Sequence, residues 1–259
     1  MVFAAFADTK AMVIIMINEF TLSEYHGFER KDFVFAGHNA VVVLPKVARG
    51  DGAWVWRAEF LGAFDSVDVE LVRRGWYLVY YSISNMFGSP ASVALMKAFY
   101  DFVVPAFGLS KKCDIFGFSR GGLYAFNFTC AHPGCVSTLY LDAPVLDMRD
   151  WPCDDRYEGG FDYLECPKQY GMTREEFLSR RDLHPVDRLY ELMDTGVPVA
   201  LVAGDSDRVV ECRRNGRRLC DALCSAGYDY MEIVKPGCDH HPHSVEDPTP
   251  VADFIASHR

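Results

Sequence analysis

The chain has 259 residues, half of them hydrophobic and 14% aromatic, with a formal net charge of −10 and an isoelectric point near 5.2. That is enough apolar material for one large core, and the acidic balance argues against a nucleic-acid partner. No segment supplies the roughly 20 apolar residues of a membrane span, and the short apolar run 11–17, flanked by Lys10 and by Asn18-Glu19-Phe20, lacks the length and cleavage site of a secretory leader.

The N-terminal residues are expected to dock on the domain surface as a short helix or strand. Residues 31–36 then alternate as a strand does, Gly37-His38-Asn39 forms a turn, and 40–44 is a continuous apolar run. This predicts a β-hairpin leading into a buried central strand. Residues 66–74 read as a helix capped by Asp65 or Ser66 and stopped by Gly75, and 76–81 as the next strand. Ser89-Pro90 opens a long helix carrying Val93, Leu95, Met96, Phe99 and Phe102, which closes near Pro105. A short strand at 113–118 leads into a helix at 120–131, and 136–142 is again a strand. From 143 to 196 the rhythm breaks, with a helix around 173–181. Strands return at 197–203 and 229–234, separated by a helix from about 211 to 226, and Thr249-Pro250 opens a last helix. The alternation predicts the α/β class: one domain over 1–259, built on a doubly wound, mostly parallel sheet, with 143–196 as a lid over the carboxyl edge.

The segment Gly117-Phe118-Ser119-Arg120-Gly121-Gly122 follows an apolar strand and starts a helix. A serine on so tight a strand-to-helix turn has strained dihedrals and needs small neighbours two residues away. The turn lifts the Ser119 hydroxyl above the sheet, and the helix aims its amides and positive dipole end at the same spot. The Arg120 amide is therefore a candidate oxyanion donor. A chance GxSxG occurs in about one chain in ten of this length, so the flanking strand and helix carry the argument.

A serine hydroxyl needs a base, and the base needs an orienting carboxylate. Asp207 lies in the loop beyond the strand 197–203. Asp205, nearer the strand, is the competitor that suits turn capping, and Asp142 ends the preceding strand. The loop after the last strand reads Cys238-Asp239-His240-His241-Pro242-His243. His240 comes first and is the expected base, with His241 and His243 left to line the pocket or bond within the loop. All these residue types also ligate transition metals. Their spacing is too dense for one ion to use them all and no second ligand cluster is evident, so no metal is assigned. Nine cysteines, without a CxxC pair or zinc spacing, fit reduced thiols of a cytoplasmic protein.

With these positions in order, the chain resembles an α/β-hydrolase from about residue 31 to 258. In detail it is similar to a bacterial subgroup grouped with prolyl-oligopeptidase-like serine hydrolases and with carbohydrate or carboxyl esterases. The segments behind this are VVVLPK at 41–46, WVWRAEF at 54–60, NMFGSP at 85–90, GFSRGGL at 117–123, YLDAPVLDMRDWP at 140–152 and DHHPHSVEDPTP at 239–250. The resemblance implies a Ser119–His240–Asp207 triad, no cofactor, and a small-molecule ester substrate, with self-association left open. It departs from the fold's usual oxyanion loop, which carries His-Gly or a glycine run; here the loop aligned with it is Pro45 to Gly50. Lys46 is the aligned second donor, Trp54 its rival, and Arg57 either binds a substrate carboxylate or packs against Trp54. A small peptidase, a non-catalytic binding protein on the same fold and a metal-dependent enzyme are the competing readings.

Overall fold

The computed structural model describes residues 20–259, so the expectation for the N-terminal segment falls mostly outside the described residues. Among the described residues nine strands form one sheet: β1 (Thr21–Tyr25), β2 (Phe28–Phe35), β3 (His38–Val43), β4 (Trp54–Arg57), β5 (Tyr77–Tyr81), β6 (Cys113–Phe118), β7 (Val136–Asp142), β8 (Val199–Gly204) and β9 (Tyr230–Lys235). Their spatial order is β1-β2-β3-β5-β4-β6-β7-β8-β9. The first pairings, β1 with β2, β2 with β3 and β3 with β5, are antiparallel. From β5 onward every pairing is parallel. The carboxyl ends of β4 and β6 to β9 therefore share one edge.

Both faces of the sheet are covered, as parallel sheets require. Along each strand side chains alternate between the two faces. Trp54, Trp56, Ile115, Leu139, Leu141, Val199 and Leu201 join the core under helices Pro90–Phe107, Gly121–Ala131 and Gly216–Ser225. Val55, Phe116, Phe118, Tyr140, Ala200 and Val202 face the other core, with helices Ser66–Arg73 and Thr249–Ser257. Local signals set the helix ends: the Ser89 hydroxyl accepts from the Ser92 amide, and Gly108 closes the same helix at φ 64°.

Three local readings change. The hairpin exists, but β3 runs against the parallel strands, so the residues after it emerge at the opposite edge from Ser119. Trp54–Arg57 is a strand of only four residues, wholly buried, between β5 and β6. The helix expected from 211 starts only at Gly216, because the Asp150 carboxylate holds 211–215 as turns by accepting from the Glu211 amide at 2.9 Å and the Asn215 side chain at 2.8 Å.

The interval 143–196 carries helices Phe161–Gln169, Arg174–Ser179 and Leu189–Thr195. A reciprocal capping box between Thr173 and Glu176 starts the second of them. Cys166, Phe177, Val186 and Leu192 are buried in the larger core, so the segment is seated on the domain. Among the described residues no helix is long and apolar enough to cross a membrane.

Candidate active site

The turn after β6 has the backbone that its sequence demands. Ser119 sits at φ 48°, a region costly for a residue with a side chain. A Cβ on Gly117 would come within 2.8 Å of the Ala125 Cβ and the Gly121 carbonyl, and one on Gly122 within 2.7 Å of Pro144. Only glycine fits there. The Ser119 amide donates to the Asp142 carbonyl at 2.9 Å and its carbonyl accepts from Val145 at 2.9 Å, which ties the turn to the end of β7.

Two further loops converge on this point. Gly204 ends β8 against the Cys238 carbonyl so closely that a Cβ would overlap it. The Ser206 amide donates to that carbonyl at 3.0 Å, and the Asp239 carboxylate accepts from the amides of Arg208 at 2.9 Å and His240 at 2.8 Å. These cross-links hold the Asp207 loop to the His240 loop. The outcome is a continuous chain: Ser119 Oγ lies 2.9 Å from His240 Nε2, and His240 Nδ1 lies 2.7 Å from Asp207 Oδ2. His240 and Asp207 are buried, and Ser119 is half-buried. A carboxylate only accepts, so the neutral imidazole carries its proton on Nδ1 and turns the Nε2 lone pair to the serine. The other Asp207 oxygen accepts from the amides of Val209 at 2.9 Å and Val210 at 2.8 Å, which fixes the carboxylate's plane.

The competitors have other partners. Asp205 holds the loop by accepting from the Gly237 amide at 2.7 Å. Asp142 forms a second histidine–carboxylate pair, 2.7 Å from His243 Nδ1, and also accepts from the Ser244 amide at 2.8 Å. His243 packs against Phe118 and Phe64 with its ring 4.7 Å from that of His240, and makes no hydrogen bond to Ser119. His241 is exposed, and desolvation, with His243 and His240 beside it, holds it below the usual imidazole range.

Two oxyanion candidates require correction. Lys46 follows β3 and stands over the Phe28 ring, and Trp54 begins β4 with its indole donating to the Ser110 carbonyl ahead of β6. Both lie at the amino edge of the parallel strands, whereas Ser119 lies at the carboxyl edge. The cause is the antiparallel β3, which made the loop after it look like the loop beside the serine. The segment at the serine's edge is the one after β4. There Ala58 donates to the Phe116 carbonyl at 3.0 Å, and Phe60 takes φ 58°. Among the described residues the Phe60 and Arg120 amides meet no protein acceptor.

Arg57 is wholly buried and fully committed, so it is not free for a substrate carboxylate. It donates to Asp68 at 2.8 Å, to the Glu59 carbonyl at 2.9 Å and to the Ala63 carbonyl at 2.7 Å, with its guanidinium 3.6 Å from the Phe118 ring centroid. It packs on Phe118 rather than Trp54 and braces the loop that carries Phe60. The Arg120 side chain, not foreseen in the sequence, bonds Glu59 at 2.7 Å and Asp162 of the inserted segment at 3.0 Å. Asp162 also walls a cavity of about 290 Å³ with Trp151, Tyr157, Phe161 and Tyr163. Tyr170 of the same segment is held in packing, its hydroxyl donating to the Phe87 carbonyl at 2.8 Å.

No family model and no curated protein matches the sequence. Solved structures do match its architecture. Dipeptidyl peptidase 4 of Porphyromonas gingivalis superposes with a TM-score of 0.64 at 14% identity, over 93% of this chain and 35% of that one. The S-formylglutathione hydrolase of Agrobacterium tumefaciens gives 0.59 at 14% identity, over 92% and 95%. A truncated carbohydrate esterase from gut microbiota gives 0.63 at 18% identity, over 85% and 90%. The chain thus spans about a third of the peptidase and nearly all of the other two. The fold is that of the α/β-hydrolases.

Proposed function

We propose that the chain is a serine hydrolase that cleaves a carboxylic ester through an acyl-enzyme on Ser119. The observation that carries this reading is the unbroken Ser119–His240–Asp207 hydrogen-bonded chain at 2.9 and 2.7 Å, on a strained turn. Ser119 Oγ attacks the ester carbonyl carbon while its proton passes to His240 Nε2, and Asp207 stabilises the imidazolium. The amides of Arg120 and Phe60, the corrected second donor, hold the oxyanion. Collapse expels the alcohol, which takes the proton from His240. A water then repeats the sequence on the acyl-enzyme and releases the acid. No cofactor enters.

The inserted segment 143–196 serves as a lid in this reading, with the cavity at Trp151, Tyr157, Phe161 and Tyr163 receiving part of the substrate. Such an aromatic wall suits a sugar ring or an aryl group. The likeness to a carbohydrate esterase and to an S-formylglutathione hydrolase over most of their lengths supports an ester more than a peptide. The rival is a small peptidase, supported by the superposition on about a third of the dipeptidyl peptidase. Hydrolysis of a panel of sugar, aryl and alkyl esters beside dipeptidyl amides tests the choice. Faster turnover of amides than of every ester would replace the esterase reading with the peptidase one.

A further inference from the structure

The loop after β9 brings His240, His241 and His243 together. Their rings form a nearly equilateral triangle, with centroids 4.9, 4.7 and 4.8 Å apart and planes crossing at 76° to 82°. One ring nitrogen from each lies within 4.8 Å of the other two. Three imidazoles on one tetrahedral zinc ion have their nitrogens about 3.3 Å apart, given bonds of about 2.0–2.1 Å. Each pair of these nitrogens is therefore at most about 1.5 Å wider than that spacing; rotation of the exposed His241 ring can close its two sides, and the His240–His243 side closes by a shift of the loop that carries both.

His240 and His243 each direct Nδ1 at a buried carboxylate, Asp207 and Asp142, both at 2.7 Å. This leaves a lone pair on each Nε2 and reproduces the carboxylate–histidine–metal arrangement that orients ligands and raises their basicity. His243 Nε2 and both nitrogens of His241 meet no protein partner among the described residues. Asp239 and Cys238 are engaged elsewhere, with Arg208 and with the carbonyls of His241 and Pro242.

We infer that this triangle is an inhibitory site for a divalent transition ion of the Zn²⁺ class, ligated by His240 Nε2, His243 Nε2 and one nitrogen of His241. The lone pair on His240 Nε2 is the one that accepts the Ser119 proton in the proposed mechanism, and this inhibitory half of the inference rests on that reading. One lone pair cannot serve the metal and the serine together. The bound ion breaks the Ser119–His240 hydrogen bond and stops turnover, and a chelator restores it. Mg²⁺ and Ca²⁺, which take oxygen ligands, do not act here.

The test titrates the full chain with Co²⁺, follows visible absorption, displaces the ion with Zn²⁺, and assays ester hydrolysis in parallel. Expected are one Co²⁺ per chain without an intense thiolate charge-transfer band, Zn²⁺ inhibition reversed by EDTA, and no effect of Mg²⁺. His241→Ala removes one ligand without touching the Ser119–His240–Asp207 hydrogen bonds; relative to its own metal-free rate it should lose at least tenfold in Zn²⁺ sensitivity, and at least tenfold in Co²⁺ affinity. Ser119→Ala should still bind Co²⁺, so the metal site stands or falls even if the hydrolase reading fails. Absence of binding, a thiolate band, or unchanged affinity in His241→Ala overturns the site. Binding with full retention of wild-type activity overturns the inhibition.

Discussion

Two histidine–carboxylate pairs sit side by side at the carboxyl edge of the sheet, with the same 2.7 Å bond, but they have different neighbours. His240–Asp207 spans two loops and ends on Ser119. His243–Asp142 joins the last loop to the end of β7 and is packed by Phe118 and Phe64. The pair itself is therefore not what makes a base for the serine. The first pair has a strained hydroxyl within reach of its free nitrogen, and the second has aromatic rings. A third buried histidine, His184 in the inserted segment, has no hydrogen-bond partner at either nitrogen among the described residues, and burial, then Arg149, pushes it down to about 4.

The largest expected effect removes what distinguishes the first pair. Ser119→Ala should lower turnover on the order of a million-fold, measured on the best ester of the panel. Asp207→Asn comes next, with a loss of about ten-thousand-fold in kcat at nearly constant KM, because the imidazole is then held in the wrong tautomer. Asp142→Asn should lower stability by about 1–3 kcal/mol, read by urea denaturation, through its lost hydrogen bonds. Its kcat should fall far less than that of Asp207→Asn. Equal kcat losses in the two variants would erase the distinction between the pairs.

His184 offers a pH test. Its folded-state value lies below the unfolded one, so its neutral form is favoured by folding. Its contribution is intact above about 6.5 and is lost as pH falls toward about 4, because the unfolded chain binds the proton more readily. His184→Gln should flatten the decline of melting temperature across that window. The smallest effect belongs to Asp205→Asn, which should cost roughly 1 kcal/mol of stability and leave turnover within a few-fold.

The sequence made the serine turn legible because its chemistry is local: glycines, a preceding apolar strand and a following helix fall within a dozen residues. Asp207 and His240 were legible through chain order and strand ends, and the structure brings both to Ser119. Strand direction was not legible. Nothing in residues 40–44 states that they run antiparallel to Tyr77–Tyr81, and that orientation sent Lys46 to the far edge. The strand Trp54–Arg57 was hidden by its length of four residues and by a buried arginine, which reads as polar until Asp68 is known to meet it. The pairing of Asp142 with His243 spans 101 positions and follows from no local pattern.

The central claim is that Ser119 is the nucleophile, activated by His240. The most direct measurement is covalent labelling with a fluorophosphonate probe, with the modified residue located by mass spectrometry of the digested chain. A single adduct on Ser119 is predicted, lost in Ser119→Ala and greatly slowed in His240→Ala. An adduct on another residue, or labelling that persists unchanged in Ser119→Ala, would contradict it.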